Sequence, residues 1–163
     1  IRGSHFNAGE AGHTRVGVNL GIKCVCGRYD CVENISSGSG IDHCARILCK
    51  DHPTSLHIPA EDEGRVNVQD VFRLCQEGDP LCKVLTDNAA QGIANLIMNL
   101  VRVTDPDTVV LGGGIVADEY MFESILKRLH PATMRFVSNG VVLTKLNPEF
   151  IGLLGACAVA MNM

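Results

Sequence analysis

A chain of 163 residues, 46% of them apolar, can bury one sizeable core, so one domain or most of one is expected. A formal charge of -4 and a pI near 5.8 leave no basic face for a phosphate backbone, which argues against nucleic-acid binding by this segment. No apolar run nears the roughly 20 residues of a membrane span and no basic-then-apolar leader opens the chain, so a cytoplasmic protein away from membranes is expected.

The chain starts at Ile1 without methionine and runs at once into a glycine-rich motif, which suggests that a segment precedes it. The run Arg2-Gly3-Ser4-His5 has the look of a leftover expression tag, although the pattern from Phe6 onward is coherent. Residues 6 to 33 are rich in glycine and metal-ligand types, with a short strand expected at Thr14 to Asn19. Asp51 to Arg65 is polar, holds two prolines and reads as a surface loop. Asn67 then caps a short helix with Val68, Val71, Phe72 and Cys75 on one stripe, ending at Gly78. Asp79-Pro80 opens the longest helical pattern, in which Leu81, Leu85, Ala89, Ile93 and Ile97, with Leu96, Leu100 and Val103, recur at steps of three and four; it ends before Asp105-Pro106. Thr108 to Leu111 fits a strand buried on both faces that feeds Gly112-Gly113-Gly114. A helix from about Asp118 carries Phe122, Ile125, Leu126 and Leu129 on one side, Val141 to Leu146 is a second strand, and Ile151 to Met161 a terminal helix. There Gly152 and Gly155 suit a close helix crossing. Alternating helices and strands predict an α/β fold.

Eight cysteines divide by spacing. Cys44, Cys49, Cys75 and Cys82 fall on helical segments and Cys157 lies among alanines and leucines, the setting of small buried hydrophobes. A disulfide framework suits domains too small for a core, so a reducing compartment is expected. The other three stand in Cys24-Val25-Cys26-Gly27-Arg28-Tyr29-Asp30-Cys31, and with His13 they supply one imidazole and three thiolates, a complete tetrahedral zinc set. Gly27 lets the backbone wrap tightly around one ion. Four protein ligands leave no open position for an activated water, so the zinc is expected to be structural. Ordinary free thiols beside an unrelated histidine are the plainer alternative, and a redox pair is disfavoured because C-x-C is not C-x-x-C.

Ala8-Gly9-Glu10-Ala11-Gly12-His13, Cys24-x-Cys26-Gly27 through Cys31-x-Glu33, and Ser37-Gly38 resemble the signature of the ROK sugar kinases and repressors. The likeness continues through Val109 to Gly114 and Leu154-Gly155-Ala156, nearly the whole chain. Asp30 departs from it, standing where the family usually has glycine, which calls the local turn into question. The resemblance implies that residues 1–163 are the C-terminal lobe of an actin-like (ribonuclease H-like) ATPase fold, with a zinc and sugar-binding region over 6–40, helices and sheet over 41–163, and the N-terminal lobe outside this chain. It implies sugar contacts by Glu10, His13 and Glu33, zinc on His13, Cys24, Cys26 and Cys31, and an adenosine pocket lined by Gly112, Gly113 and Gly114. Carboxylates accept hydrogen bonds from sugar hydroxyls, and a histidine holding zinc through one nitrogen can face the sugar with the other.

ATP with Mg²⁺, a hexose or amino-hexose substrate and a homodimer are implied as well. The family's base and phosphate loop, an Asn-Asp pair and an Asp-x-Gly-Gly-Thr loop, have no counterpart in these residues, and Asp87-Asn88 reads as a polar helix face. No catalytic residue is therefore expected here, and the segment alone is expected to be inactive. The alternatives are the effector domain of a ROK repressor and a zinc-stabilised interaction module without sugar affinity. The short connection after Lys50 leans toward a simple hexose over an N-acetyl sugar.

Overall fold

The computed structural model describes residues 3–5, 8–147 and 150–161; the readings placed on Ile1, Arg2 and Phe6 lie outside the described residues. Helix α4 (Pro80–Thr104) is the axis. Asp79 caps it by accepting the Cys82 N–H at 3.0 Å, Pro80 opens the first turn, and Asp105 turns left-handed at φ 45° ahead of Pro106. Helices α1 (Val32–Ser36), α2 (Gly38–Leu48) and α3 (Val68–Glu77) all pack on it. Helix α3 starts where Asn67 accepts the Gln69 N–H at 2.9 Å and ends at Gly78. Leu81, Leu85 and Ala89 of α4, Val71, Phe72 and Cys75 of α3, and Ile41, Cys44 and Ala45 of α2 share one apolar core.

No regular element interrupts residues 51–67, as the polar composition predicts. The loop is nevertheless fastened. Asp79 accepts from the Thr54 hydroxyl at 2.9 Å and the Ser55 N–H at 2.7 Å, while Arg46 donates to the Pro59 and Gly64 carbonyls at 2.6 and 2.9 Å. Beyond α4 come β1 (Val109–Leu111), α5 (Glu119–Leu126), α6 (Pro131–Met134), β2 (Val141–Leu143) and α7 (Ile151–Met161). The strands pair in parallel, Val109 opposite Val141 and Leu111 opposite Leu143, with the helical crossover that parallel neighbours require. Helices α5 and α6 lie on α4. The α/β order is as expected.

Several details differ from the sequence reading. Thr14 to Asn19 forms no strand: Arg15 makes one antiparallel bridge to Cys31, and the Val16 carbonyl is taken instead by the Asn95 side chain of α4 at 2.6 Å. Strand β1 is not buried on both faces: Val110, on the face opposite Val109 and Leu111, is 60% exposed, so no layer covers that face among the described residues. Helix α5 buries Met121, Ser124 and Ile125, a stripe rotated from the expected one, with Leu126 exposed; the Asp118 cap, accepting the Met121 N–H at 3.0 Å, fixes where the helix begins. Cys44, Cys75 and Cys82 are buried as expected, but Cys157 is exposed. None of the α7 residues is buried and no neighbour lies within 4 Å of a side chain built on Gly152 or Gly155, so no helix crossing occurs there among the described residues. Helices α1 and α6 were too short for periodicity to announce. Among the described residues, no helix is long and apolar enough to cross a membrane.

Candidate functional site

The segment from Glu10 to Cys31 is built of tight turns. A 3₁₀ turn, Ala11–His13, is closed by the Thr14 hydroxyl donating to the Ala11 carbonyl at 2.6 Å. A second turn brings the Cys24 N–H to the Arg28 carbonyl at 2.8 Å and the Gly27 N–H back to the Cys24 carbonyl at 3.0 Å. Gly27 takes φ 87° there, which glycine adopts without strain. Single bridges join Lys23 to Tyr29 and Arg15 to Cys31, and Asn34 of α1 donates to the Lys23 carbonyl at 3.0 Å. Asp30 accommodates the turn with a glycine-like φ of 56°.

These turns bring the ligand atoms of His13, Cys24, Cys26 and Cys31 all within 4.8 Å of one another. Nδ1 of His13 lies 3.4 Å from Cys24 Sγ, and Cys26 Sγ lies 3.5 Å from Cys31 Sγ. Tetrahedral zinc, with Zn–S of about 2.3 Å and Zn–N of about 2.0 Å, sets its ligand atoms roughly 3.5–3.8 Å apart, so the donor set fits the ion in kind and in spacing. The thiols differ in their surroundings. The exposed Cys26 thiol is held below its ordinary value, chiefly by the backbone hydrogen bond from Arg28. Burial pushes the Cys31 thiol up to about 12.

Glu33 rides on α1, which is pressed against the start of α2: a side chain on Gly40 would collide with the Glu33 carbonyl. Ser37 caps α2 by accepting the Gly40 N–H at 3.0 Å and donates to the Glu33 carbonyl at 2.6 Å. Ser36 ties α1 to α4 through the Ala89 carbonyl at 3.1 Å. Glu10, Glu33, Ser36, Ser37 and Gly112, Gly113 and Gly114 thereby line one cavity of about 370 Å³. Gly112 and Gly113 also border an apolar cavity of about 200 Å³, with Leu111, Leu143 and Leu146. It opens at the C-terminal ends of the parallel strands, where open α/β sheets receive ligands. His13 does not line the carboxylate cavity. It belongs to an adjoining one of about 800 Å³ that includes Arg28 and Cys26, and Glu10 borders both. His13 Nε2 lies 3.9 Å from a Glu10 carboxylate oxygen, while Nδ1, on the thiol side, lies 3.2 Å from Glu33.

Sequence reasoning did not assign Ser36, Ile93 or Ile115 to this cavity. Ser37 was visible within the Ser37-Gly38 motif, but its hydroxyl is spent on capping; no spacing rule points to the others.

The family model of the ROK family matches residues 1–163. Over 116 residues the chain is 30% identical to a glucokinase of Halalkalibacterium halodurans, covering 71% of this chain and 35% of that protein. Over 115 residues it is 33% identical to an N-acetylmannosamine kinase of Escherichia coli O6:H1, covering 70% of this chain and 34% of that protein. The matched stretch thus spans about a third of the length of these curated relatives. The solved structure of a ROK family glucokinase from Streptomyces griseus, in complex with glucose and AMPPNP, superposes with a TM-score of 0.72 at 22% identity, over 100% of this chain and 54% of that one. The chain therefore shares the fold of the matching part of that structure. Matched along its whole length by the family model, the chain belongs to the ROK family.

Proposed function

We propose that this chain is the C-terminal lobe of a sugar kinase that transfers the terminal phosphoryl group of ATP, with Mg²⁺, to a hydroxyl of a hexose or hexose derivative. The observation that carries this is the meeting of Glu10, Glu33 and Gly112 to Gly114, far apart in sequence, around one cavity. Two carboxylates in one cleft accept hydrogen bonds from a ligand rich in hydroxyls and reject analogues that lack them. Glycines at its far wall let the nucleotide side approach the backbone closely, and the apolar cavity behind them suits a flat base. In this assignment Glu10, Glu33 and the Nε2 edge of His13 bind the sugar, and residues 6–40 form the metal and sugar region on a scaffold spanning 41–163. His13 Nδ1, Cys24, Cys26 and Cys31 hold a structural zinc, whose charge keeps the thiols deprotonated and ties the two turns together. With Nδ1 committed, the His13 ring is oriented toward Glu10. The base that takes the hydroxyl proton and the loop that cradles the phosphates lie, in this reading, in residues that precede this chain. The names of the relatives, glucokinase and N-acetylmannosamine kinase, support a hexose or amino-hexose without choosing between them.

The test is calorimetry on the full-length protein. Glu10→Gln and Glu33→Gln each remove a charged acceptor and are expected to weaken sugar binding by about 1.5–3 kcal/mol while leaving nucleotide affinity unchanged. Unchanged sugar affinity in both variants overturns the assignment. Sugar binding without any turnover by the full-length protein would favour a sugar-sensing repressor over a kinase.

A further inference from the structure

We propose that Asp30 is a positioning residue of the metal centre, its carboxylate serving as the acceptor that fixes the Leu20 to Cys24 stretch against Cys31. This rests on the zinc assignment above. Asp30 is 3% exposed, and among the described non-glycine residues only Asp105 shares its left-handed backbone. Asp105 ends a helix, where such a turn is ordinary. Asp30 has no helix to end. Its Oδ1 accepts the Leu20 N–H at 3.1 Å and the Ile22 N–H at 2.9 Å, and its own N–H donates to the Ile22 carbonyl at 2.8 Å. Both polar backbone groups of Ile22 therefore end on one residue. Ile22 is buried in the core, so no water stands ready to replace these bonds. Cys24 follows Ile22 by two residues and Cys31 follows Asp30 directly, so the clamp sets the spacing of two ligands independently of the ion. The second carboxylate oxygen faces the Arg15 guanidinium at 4.0 Å, and Arg15 itself bridges Cys31.

The choice of residue follows from two demands. The left-handed turn favours glycine, asparagine or aspartate. Glycine would meet the backbone demand and leave the Leu20 and Ile22 N–H groups without their acceptor. Asparagine would keep both the turn and the accepting oxygen, losing only the charge. Aspartate thus meets the backbone demand and supplies a further tether. The carboxylate touches no ligand atom; it acts through the backbone, which it holds two residues before Cys24 and directly before Cys31.

The experiment compares wild type, Asp30→Asn, Asp30→Ser and Asp30→Gly in the full-length protein. Zinc affinity is measured by competition with a chromophoric chelator, and the cobalt-substituted protein is examined for the visible absorption of a tetrahedral thiolate site. Asp30→Gly is expected to weaken zinc by about 10–100-fold and to broaden or shift the cobalt bands. Asp30→Asn should retain wild-type affinity and spectrum, and Asp30→Ser, whose hydroxyl reaches less far, should fall between. Wild-type affinity in both Asp30→Gly and Asp30→Ser overturns the proposal. So does an Asp30→Asn variant as weak as Asp30→Gly, since charge and not the accepting oxygen would then be at work. If Asp30→Gly does not fold, the order of Asp30→Asn and Asp30→Ser decides. A wild-type protein that binds no zinc overturns the metal centre itself, and this role with it.

Discussion

The scaffold formed by α2 to α5 and the segment from Glu10 to Cys31 are held together by different forces. In the scaffold, Phe72, Leu81, Leu85, Met121 and Ile125 are each 2% exposed or less, and their contacts form one continuous core. The site segment buries Val16, Val18 and Ile22 but has no strand or α-helix of its own. Isolated bridges, tight turns, the Asp30 carboxylate and the four convergent ligand atoms hold it instead. Burial is non-directional and tolerates small displacements, whereas a few directed contacts fix particular atoms in place. A site that must aim carboxylates and an imidazole at a ligand is better served by the second kind of order, carried on a rigid base of the first.

If this division is right, the largest losses come from the scaffold and take the site with them. Phe72→Ala empties a fully enclosed position on α3 facing the core and is expected to cost about 3–5 kcal/mol of unfolding free energy. Added zinc should not restore it in urea unfolding. A cost below about 1 kcal/mol would mean that the α3 contact is peripheral.

A smaller effect, and a pH-dependent one, is expected at the hinge between loop and scaffold. Burial alone would push the Asp79 carboxyl up, but the Cys82 and Ser55 N–H groups and the Thr54 hydroxyl together hold it well below its ordinary value of 3.8. The folded value is lower than the unfolded one, so the stabilisation is present above the unfolded value and is lost as pH falls toward the folded one. It should be complete above about pH 5 and decline progressively below about pH 4. Asp79→Asn is expected to cost on the order of 1–2 kcal/mol at neutral pH and to flatten the acid limb of the stability profile. An acid limb identical to wild type would assign the acid sensitivity to other carboxylates.

How much of this was legible in the sequence follows the same division. The bounds of α3 and α4 could be read from Asn67, Gly78, Asp79-Pro80 and Asp105-Pro106 because capping is local chemistry. The histidine and three cysteines could be read because few residue types ligate zinc and theirs lie close in sequence. The approach of Gly112 to Gly114 toward Glu10 and Glu33 could not, since it depends on how α1 packs against α4 and on where β1 ends; the family resemblance assigned those residues to two separate sites, and the shared cavity emerged only from the structure. Three apolar residues at Val109 to Leu111 report hydrophobicity and not whether a layer covers each face of the strand, which is why Val110 was misread as buried. The apolar run of α7 misled in the same way at Cys157. Asp30 looked like a defect in a turn. Its value lies in partners eight and ten residues earlier, a contact that leaves no periodic trace.

The smallest effect on the scaffold, and the sharpest test of the contrast, should come from removing the metal. The purified full-length protein is expected to carry about one equivalent of zinc for this site, and Cys26→Ser or prolonged chelation should release it. Without the ion, the buried Cys31 thiol holds its proton, being raised to about 12, and the two turns lose their common anchor. Amides from His13 to Cys31 should then exchange with solvent markedly faster. Those of α4 around Leu85 and Ala89, set in the apolar core, should keep their protection, because local opening draws only on the contacts within the opening unit. Sugar affinity should fall along with the order of the segment, since Glu10 and His13 sit on the turn that loosens. If chelation instead strips protection from α4 and unfolds the whole lobe, the metal is a partner of the core. The site segment would then be a structural element of the scaffold and not a separately held layer upon it.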